Sequence, residues 1–311
     1  MPQPNMNQLQ TYISAEWQRD LPVEVLQASE AILADFGDAA SGMLFYGSCL
    51  RTGEVEDKIL DFYVLVDSYS AAYKKRWLAW SNKLLPPNVF YHEIDVGGVT
   101  VRSKYAVLSL EDFAQRVGPD CLNVSVWARF CQPCILIQPK DASVERDVAS
   151  YVATAITTML GNLLDLFPSA TTSRKAWVAA FEETYAAELR SERVGKGLEI
   201  YLLDQERYDT LFPLAFEALS PSLKTSADTK SSGSTLKGRF KWMARRWNGK
   251  FISMLRLIKA TMTFDGGIDY LAWKIRRHSG VDVEVTDWMR KYPVFAGLVL
   301  FVKLRKNGAF K

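Results

Sequence analysis

The stretch FYGSCLRTGEVEDKILDFYVLVD, residues 45–67, decides how this chain is read. An apolar run, MLFY (43–46), ends on Gly47-Ser48, the pattern of a strand turning into a helix. Twelve residues then separate Ser48 from Asp61, which sits inside ILDFYVLV (59–66), a run rich in strand formers. A turn of small residues lets backbone N–H groups and a hydroxyl approach a phosphate that a bulky side chain would hold away. A carboxylate at the opening of the next strand can hold a Mg2+ ion that bridges such phosphates. Read without chemistry, the same residues are an ordinary turn and a solvated strand end, and a motif this short is compatible with both.

Nucleotidyl transfer would give these residues roles: Gly47 and Ser48 against the nucleotide, Asp61 as metal ligand and catalytic carboxylate. Such sites usually carry Asp-x-Asp, because residues i and i+2 of a strand share a face about 6.6 Å apart. Here Ile59 and Tyr63 hold the two partner positions. Asp67 shares the face of Asp61 but lies about 20 Å along an extended strand, so it can serve only if the chain folds back. Glu93 and Asp95 on a following strand, and Glu54, Glu56 and Asp57 in the loop, are further sources of a second ligand. The candidate Mg2+ ligands are Asp61, Asp67 and Glu93.

Outward from this stretch, the pattern predicts an α+β chain: a nucleotidyltransferase-like mixed sheet with helices, then a helical domain, then a basic amphipathic C-terminal region. PVEVLQASEAILADF (22–36) has helical spacing, and Tyr73–Leu84 reads as a helix ending before Pro86-Pro87. NVFYHEI (88–94) and VTVRSKYAVLS (99–109) read as strands joined at Gly97-Gly98. Residues 110–118 and 120–130 read as helices and PCILIQ (133–138) as a last strand. Beyond it Val148, Val152, Ile156, Met159, Leu163 and Phe167 form one apolar helical stripe, with further helices near 174–190 and 198–219. SPSLKTSADTKSSGST (220–235) reads as a linker. The division is 1–140 nucleotidyltransferase domain, 141–219 helical domain, 220–236 flexible linker or loop, and 237–311 membrane-associating region.

Apolar residues make up 48% of the chain, enough for a packed core and against disorder. A net charge of +3 gives no reason to expect a stable nucleic-acid partner. Cys49, Cys121, Cys131 and Cys134 fit free thiols in a reducing compartment. The Cys131-Gln-Pro-Cys134 spacing lacks the second pair or histidines that zinc needs, which favours buried thiols. Of the two histidines, His92 lies on a predicted strand beside Glu93 and could face the site, while His278 fits a helix C-terminus. No secretory signal and no run long enough to span a bilayer is expected.

YGSCLRTG, ILDFYVLVD, NVFYHEI, SKYAVLSLEDF and WARFCQPCILI occur in this order between about 43 and 138. Together they resemble the mitochondrial-type phosphatidate cytidylyltransferases, the translocator assembly and maintenance family. The likeness thins over TYAAELRSE (184–192) and is slight before 40 and after 220. It implies a peripheral membrane enzyme that uses CTP, phosphatidic acid and Mg2+ to make CDP-diacylglycerol and pyrophosphate, with catalytic use of Gly47, Ser48, Asp61, Lys104 and Arg129. Cys49, Ser68, Ala128 and Gln132 depart from the family pattern, where Gly, Asp, Gly and Lys stand. Transfer to another soluble or RNA acceptor, and a non-catalytic lipid- or RNA-binding scaffold, are the competing functions.

KGRFKWMARRWNGK (237–250) carries six Lys or Arg with Phe240, Trp242 and Trp247. Indoles at headgroup level and cations over anionic lipid are the parts of an interfacial anchor, and each such cation contributes about 1 kcal/mol. Arg239, Trp242, Arg245, Arg246 and Trp247 are the candidate membrane-binding residues, against a solvated helix face or a single-strand nucleic-acid surface. The Val294–Val302 run would reach about 15 Å as a helix, too short to cross a bilayer; core packing is its competing role. The expected location is cytoplasmic, attached to the inner face of a membrane, or at the mitochondrial inner membrane in a eukaryote.

Overall fold

ILDFYVLV is central in sequence and in space. In the computed structural model it forms β2 (Ile59–Val66), buried along most of its length because both faces meet other layers. The structure describes residues 4–55, 58–167, 172–188, 195–227, 233–263 and 284–291. Around β2 lie β1 (Ala40–Tyr46), β3 (Asn88–Val96), β4 (Val99–Ser109) and β5 (Cys134–Ile137), in a five-stranded sheet of order β3-β4-β2-β1-β5. Only β2 and β4 run parallel; β1 pairs antiparallel with β2 and β5, and β3 with β4. The β3–β4 hairpin turns at Gly97 and Gly98, both at positive φ.

The helices are α1 (Pro4–Glu16), α2 (Val23–Ala34), α3 (Ser48–Thr52), α4 (Tyr69–Ala72), α5 (Arg76–Leu84), α6 (Leu110–Val117), α7 (Trp127–Phe130) and α8 (Ala142–Leu166). They continue as α9 (Ser173–Ala187), α10 (Lys196–Leu203), α11 (Gln205–Ala227), α12 (Gly233–Thr263) and α13 (Asp287–Lys291). Capping fixes several of the starts, two of them beside the sheet. Ser109 Oγ accepts from Asp112 N at 3.2 Å to open α6, and Asp141 Oδ1 accepts from Ser143 N at 2.7 Å and Val144 N at 3.0 Å to open α8.

One face of the sheet carries Phe45, Phe62, Tyr105 and Phe90, and α2 lies over it, with Phe36 edge-on to Tyr105. On the other face Tyr63 meets Phe130 of α7, which meets Phe113 of α6, which meets Tyr151 of α8. Val148, Val152, Ile156, Met159 and Leu163 of the expected stripe are all buried, each contributing about 1.5–3 kcal/mol of transfer free energy. Phe167 is not part of it: the helix ends at Leu166 and Phe167 is exposed.

A single hydrophobic core runs from Leu9 of α1 to Trp242 of α12. Its outer reaches are tied by the Arg207 guanidinium, whose Nε pairs with Glu16 at 2.7 Å and whose Nη1 donates to the Cys131 carbonyl at 2.9 Å. The stretch expected as a linker is helical on both sides, α11 reaching Ala227 and α12 starting at Gly233; residues 228–232 lie outside the described residues.

Helix α12 is packed, not peripheral. Trp242 Nε1 donates to the Asn162 carbonyl at 3.0 Å, and Arg245 Nη2 to Asn162 Oδ1 at 2.9 Å. Arg245 also stacks over the rings of Trp127 and Trp242. The backbones come close enough that a Cβ on Gly238 or Gly249 would meet the Asp165 or Ala187 carbonyl oxygen at 2.3 or 2.2 Å. Trp242 and Arg245 are thus interior residues, which removes them from the expected membrane-binding set. Helical spacing turned them inward: residues three and four apart share a face, and 238, 242, 245 and 249 form the buried one.

The opposite face of α12 exposes Leu236, Phe240, Met243, Trp247 and Phe251, again three or four residues apart. Arg239, Arg246 and Lys250 are exposed beside it, Arg246 in an ion pair with Glu183. No helix among the described residues is long and apolar enough to cross a membrane. The tail 292–306, with the Val294–Val302 run, and His278 lie outside the described residues.

Candidate active site

Sheet register assembles the site. Asp61 of β2 stands opposite Lys104 of β4 and Tyr46 of β1, and Lys104 stands opposite Tyr91 of β3. Directly paired residues project to the same face, so these four share one side of the sheet with Tyr63. Lys104 Nζ lies 2.7 Å from Asp61 Oδ1, an ion pair across neighbouring strands. Both groups are partly buried, with side-chain exposures of 35% and 22%.

The Gly-Ser turn meets this pair. Gly47 has φ +95°, and a Cβ there would lie 2.8 Å from Asp61 Oδ2. Glycine is required twice over, by the backbone and by the carboxylate against it. Ser48 follows, exposed, as the first residue of α3. Cys49, where the family pattern has glycine, is buried and donates through Sγ to the Ile59 carbonyl at 3.3 Å. Burial and the neighbouring Asp61 push its thiol up, so it is not a reactive thiolate.

Arg129 closes the site from α7. Its Nη1 donates to the Tyr63 hydroxyl at 2.9 Å and to the Ser125 carbonyl at 3.0 Å, and the guanidinium lies over the Tyr46 and Tyr63 rings at 5.4 and 5.6 Å. Burial raises the Tyr46 phenol well above its ordinary range, although Arg129 pulls the other way; Asp61 and Lys104 also act on it. Gly47, Asp61, Lys104 and Arg129 are therefore gathered about Tyr46 and Tyr63. Gln132, at the family's lysine position, is buried: its Oε1 accepts from Arg51 at 3.1 Å and its Nε2 donates to the Ala128 carbonyl at 3.0 Å.

A residue the sequence reading missed arrives from α12. Arg256 Nη1 donates to Ser125 Oγ at 2.7 Å and Nε to the Pro86 carbonyl at 2.8 Å. Lys259, one turn on, donates to the Leu85 carbonyl and, at 2.9 Å, to the Pro87 carbonyl. Burial, with Arg256 and Arg116 adding to it, holds the Lys259 ammonium down to about 7. RLIK (256–259) has no motif to announce it; only the hydrophobic spacing of α12 marks which side faces inward.

Other expected site residues lie elsewhere. Asp67 is at the far end of β2, where it accepts from Ser41 Oγ at 2.6 Å and pairs with Lys140 at 2.7 Å. The strand does not end early, so Asp67 cannot share an ion with Asp61. Glu93 shares the Asp61 face but is two strands away and is taken by Arg102 at 3.2 Å. Asp95 Oδ1 accepts from Gly98 N in the hairpin turn, and Glu54 pairs with Lys58; Glu56 and Asp57 lie outside the described residues. His92 alternates with Tyr91 and so projects to the opposite face. Cys131 and Cys134 are free and buried, and burial pushes the Cys134 thiol up to about 12.

Of the three expected Mg2+ ligands, Asp61 stands in the site, and Asp67 and Glu93 do not join it. Among the described residues no three His, Cys, Asp or Glu side chains converge, and the one carboxylate of the site is already matched by a lysine.

No family model and no curated protein matches the chain. Among solved structures it is similar to a nucleotidyltransferase-like protein from Exiguobacterium sibiricum 255-15, at 10% identity and a TM-score of 0.28, over 90% of this chain and 91% of that one. A likeness of that size carries no argument about activity.

Proposed function

We propose that the chain is a nucleotidyltransferase that moves a cytidylyl group from CTP to the phosphate of phosphatidic acid at an anionic membrane surface. The observation that carries the reading is the gathering of Gly47, Asp61, Lys104 and Arg129, far apart in sequence, about one end of β2. A phosphate acceptor is already an anion and needs no strong base, so the demand on the protein is positioning and neutralisation of phosphate charge. Lys104 and Arg129 supply positive charge, and Gly47 leaves room for backbone contact beside Ser48. No step is assigned to Mg2+; Asp61 is the carboxylate that would hold it, together with phosphate oxygens of the nucleotide, and the ion would there neutralise phosphate charge.

Two observations bear on the acceptor. The sequence resemblance over 43–138 supplies CTP and the lipid. The exposed stripe Leu236, Phe240, Met243, Trp247 and Phe251, with Arg239, Arg246 and Lys250 beside it, has the form of an interfacial helix face. The test is pyrophosphate release from each of CTP, ATP, GTP and UTP, with vesicles containing phosphatidic acid and with soluble sugar phosphates. CTP and lipid together should give the highest rate. ATP used equally well would transfer the reading to a soluble acceptor, and no release with any pair would leave a scaffold. Phe240→Ser with Trp247→Ser should lower vesicle binding while sparing turnover of short-chain, soluble phosphatidic acid.

A further inference from the structure

Two arginines converge on one residue. Arg129 donates to the carbonyl of Ser125 at 3.0 Å, and Arg256 to its hydroxyl at 2.7 Å. The first comes from the short α7 and the second from α12, 127 positions later. Both are half-buried, and among the described residues neither makes an ion pair. Their remaining contacts are neutral: the Tyr63 hydroxyl, the Tyr46 and Tyr63 rings, the Pro86 carbonyl and, at 3.5 Å, Asn123 Oδ1. The Glu188 carboxylate acts on both from beyond ion-pair distance.

Bringing two cations together away from water costs free energy unless a counter-charge joins them. The two differ in how far that cost is met: burial, opposed by Tyr63 and assisted by Arg116 and Arg129, holds Arg256 down to about 10, whereas the burial of Arg129 is outweighed by Tyr63, Tyr46, Glu188 and Asp61, which hold it up. A guanidinium offers a planar fork of donors that matches a phosphate better than it matches any neutral partner.

We propose that Arg129 and Arg256, with the Tyr63 hydroxyl beside them, form a binding site for a phosphate group, completed only when α12 is docked; the Ser125 hydroxyl, which donates to Asn123 Oδ1 and accepts from Arg256, holds the second arginine in place. As an anion site this stands without the transferase reading. As the holder of the acceptor's phosphate or of the departing pyrophosphate it rests on that reading.

The test uses the full chain without nucleotide. Inorganic phosphate, pyrophosphate and a short-chain phosphatidic acid below its micelle concentration are titrated separately by calorimetry. At least one should bind at millimolar concentration or better, and which one binds tightest identifies the source of the phosphate. Arg256→Gln should weaken binding roughly tenfold or more, and Arg256→Lys, which keeps the charge but not the fork, by less. If near-ultraviolet circular dichroism shows that Arg256→Gln does not fold, Arg256→Lys decides: severalfold weakening supports the site. Equal affinity in the wild type and the folded variants, or no binding of any of the anions by the wild type, overturns it and leaves Arg256 as a strut to Pro86. Arginine-dependent binding without pyrophosphate release from any nucleotide keeps the anion site and sinks the transferase.

Discussion

An aspartate stands near each end of β2, Asp61 within it and Asp67 just after it, and each is paired with a lysine at 2.7 Å: Asp61 with Lys104 and Asp67 with Lys140. The two ion pairs have the same length and different surroundings. Asp67 and Lys140 are both more than 40% exposed, Ser41 donates to the same carboxylate, and Lys140 also reaches the Asp38 carbonyl at 3.0 Å. Asp67 and Lys140 answer each other, and the result is a clamp between the end of β2 and the segment after β5. Asp61 is more enclosed, has a glycine held against it, and faces phenols with Arg129 above them. Here cations outnumber carboxylates. An ion pair by itself says little about function; the unbalanced charge around it says more.

The largest expected effect breaks the Asp61 end. Asp61→Asn should lower nucleotidyl transfer by about a hundredfold or more, as the loss of the carboxylate that would hold a phosphate-bridging Mg2+, while Asp67→Asn leaves the rate unchanged. Pyrophosphate release measured on both decides, and equal losses would mean that neither end is the active one. Gly47→Ala comes next. It forces φ +95° on a residue with a Cβ and pushes that Cβ into the carboxylate, so it should cost about 1–3 kcal/mol of stability in urea titration as well as activity.

The third effect is a pH dependence on the cationic side of the site. The Lys259 ammonium is held at about 7 in the folded chain by burial and by Arg256 and Arg116, below its unfolded value. Below pH 7 both states are protonated and the full penalty of the buried charge is present. From about 7 up to the ordinary lysine range the unfolded chain binds the extra proton, so this group makes stability rise with pH. The melting temperature of the wild type should climb across that interval relative to Lys259→Met. The smallest effect is at Asp67. Lys140 and then Ser41 hold its carboxyl below the usual range, so its contribution is present at neutral pH and lost as pH falls. Asp67→Asn should differ slightly from wild type in melting temperature at pH 7 and converge with it in acid.

Much of the sheet was legible because its strands alternate or run apolar between clear breaks: β2 and β4 occupy the residues expected of them, and Gly97-Gly98 turns the hairpin. That Gly47 and Asp61 belong to one site was legible for the same reason, since one follows β1 and the other lies near the start of β2; their direct contact was not. The second ligand was misplaced because a sequence shows which residues share a face but not which cation will claim them; Glu93 is on the right face and belongs to Arg102. Helix α1 was not anticipated, its apolar residues being too sparse to stand out, although Leu9 and Ile13 are fully buried. The basic segment was read by composition alone. Composition cannot separate Trp242, sealed against Trp127, from Trp247, 76% exposed; the helical period can.

The site's dependence on α12 has a consequence for how the protein comes into being. Arg256 contacts Ser125 from 131 positions downstream and Pro86 from 170. Chain synthesis is vectorial and N-terminal parts emerge first, so the five strands, all before residue 138, leave the ribosome well ahead of the residue that completes the cationic cluster. A nascent chain stopped before α12 already holds every residue of the sheet, Asp61 and Lys104 included. It exposes the Asn162 and Trp127 surface that Trp242 and Arg245 later cover, and it lacks one of the two arginines at Ser125. Completion of the site is therefore a late event in biogenesis, timed by the arrival of a helix whose other side is apolar and exposed.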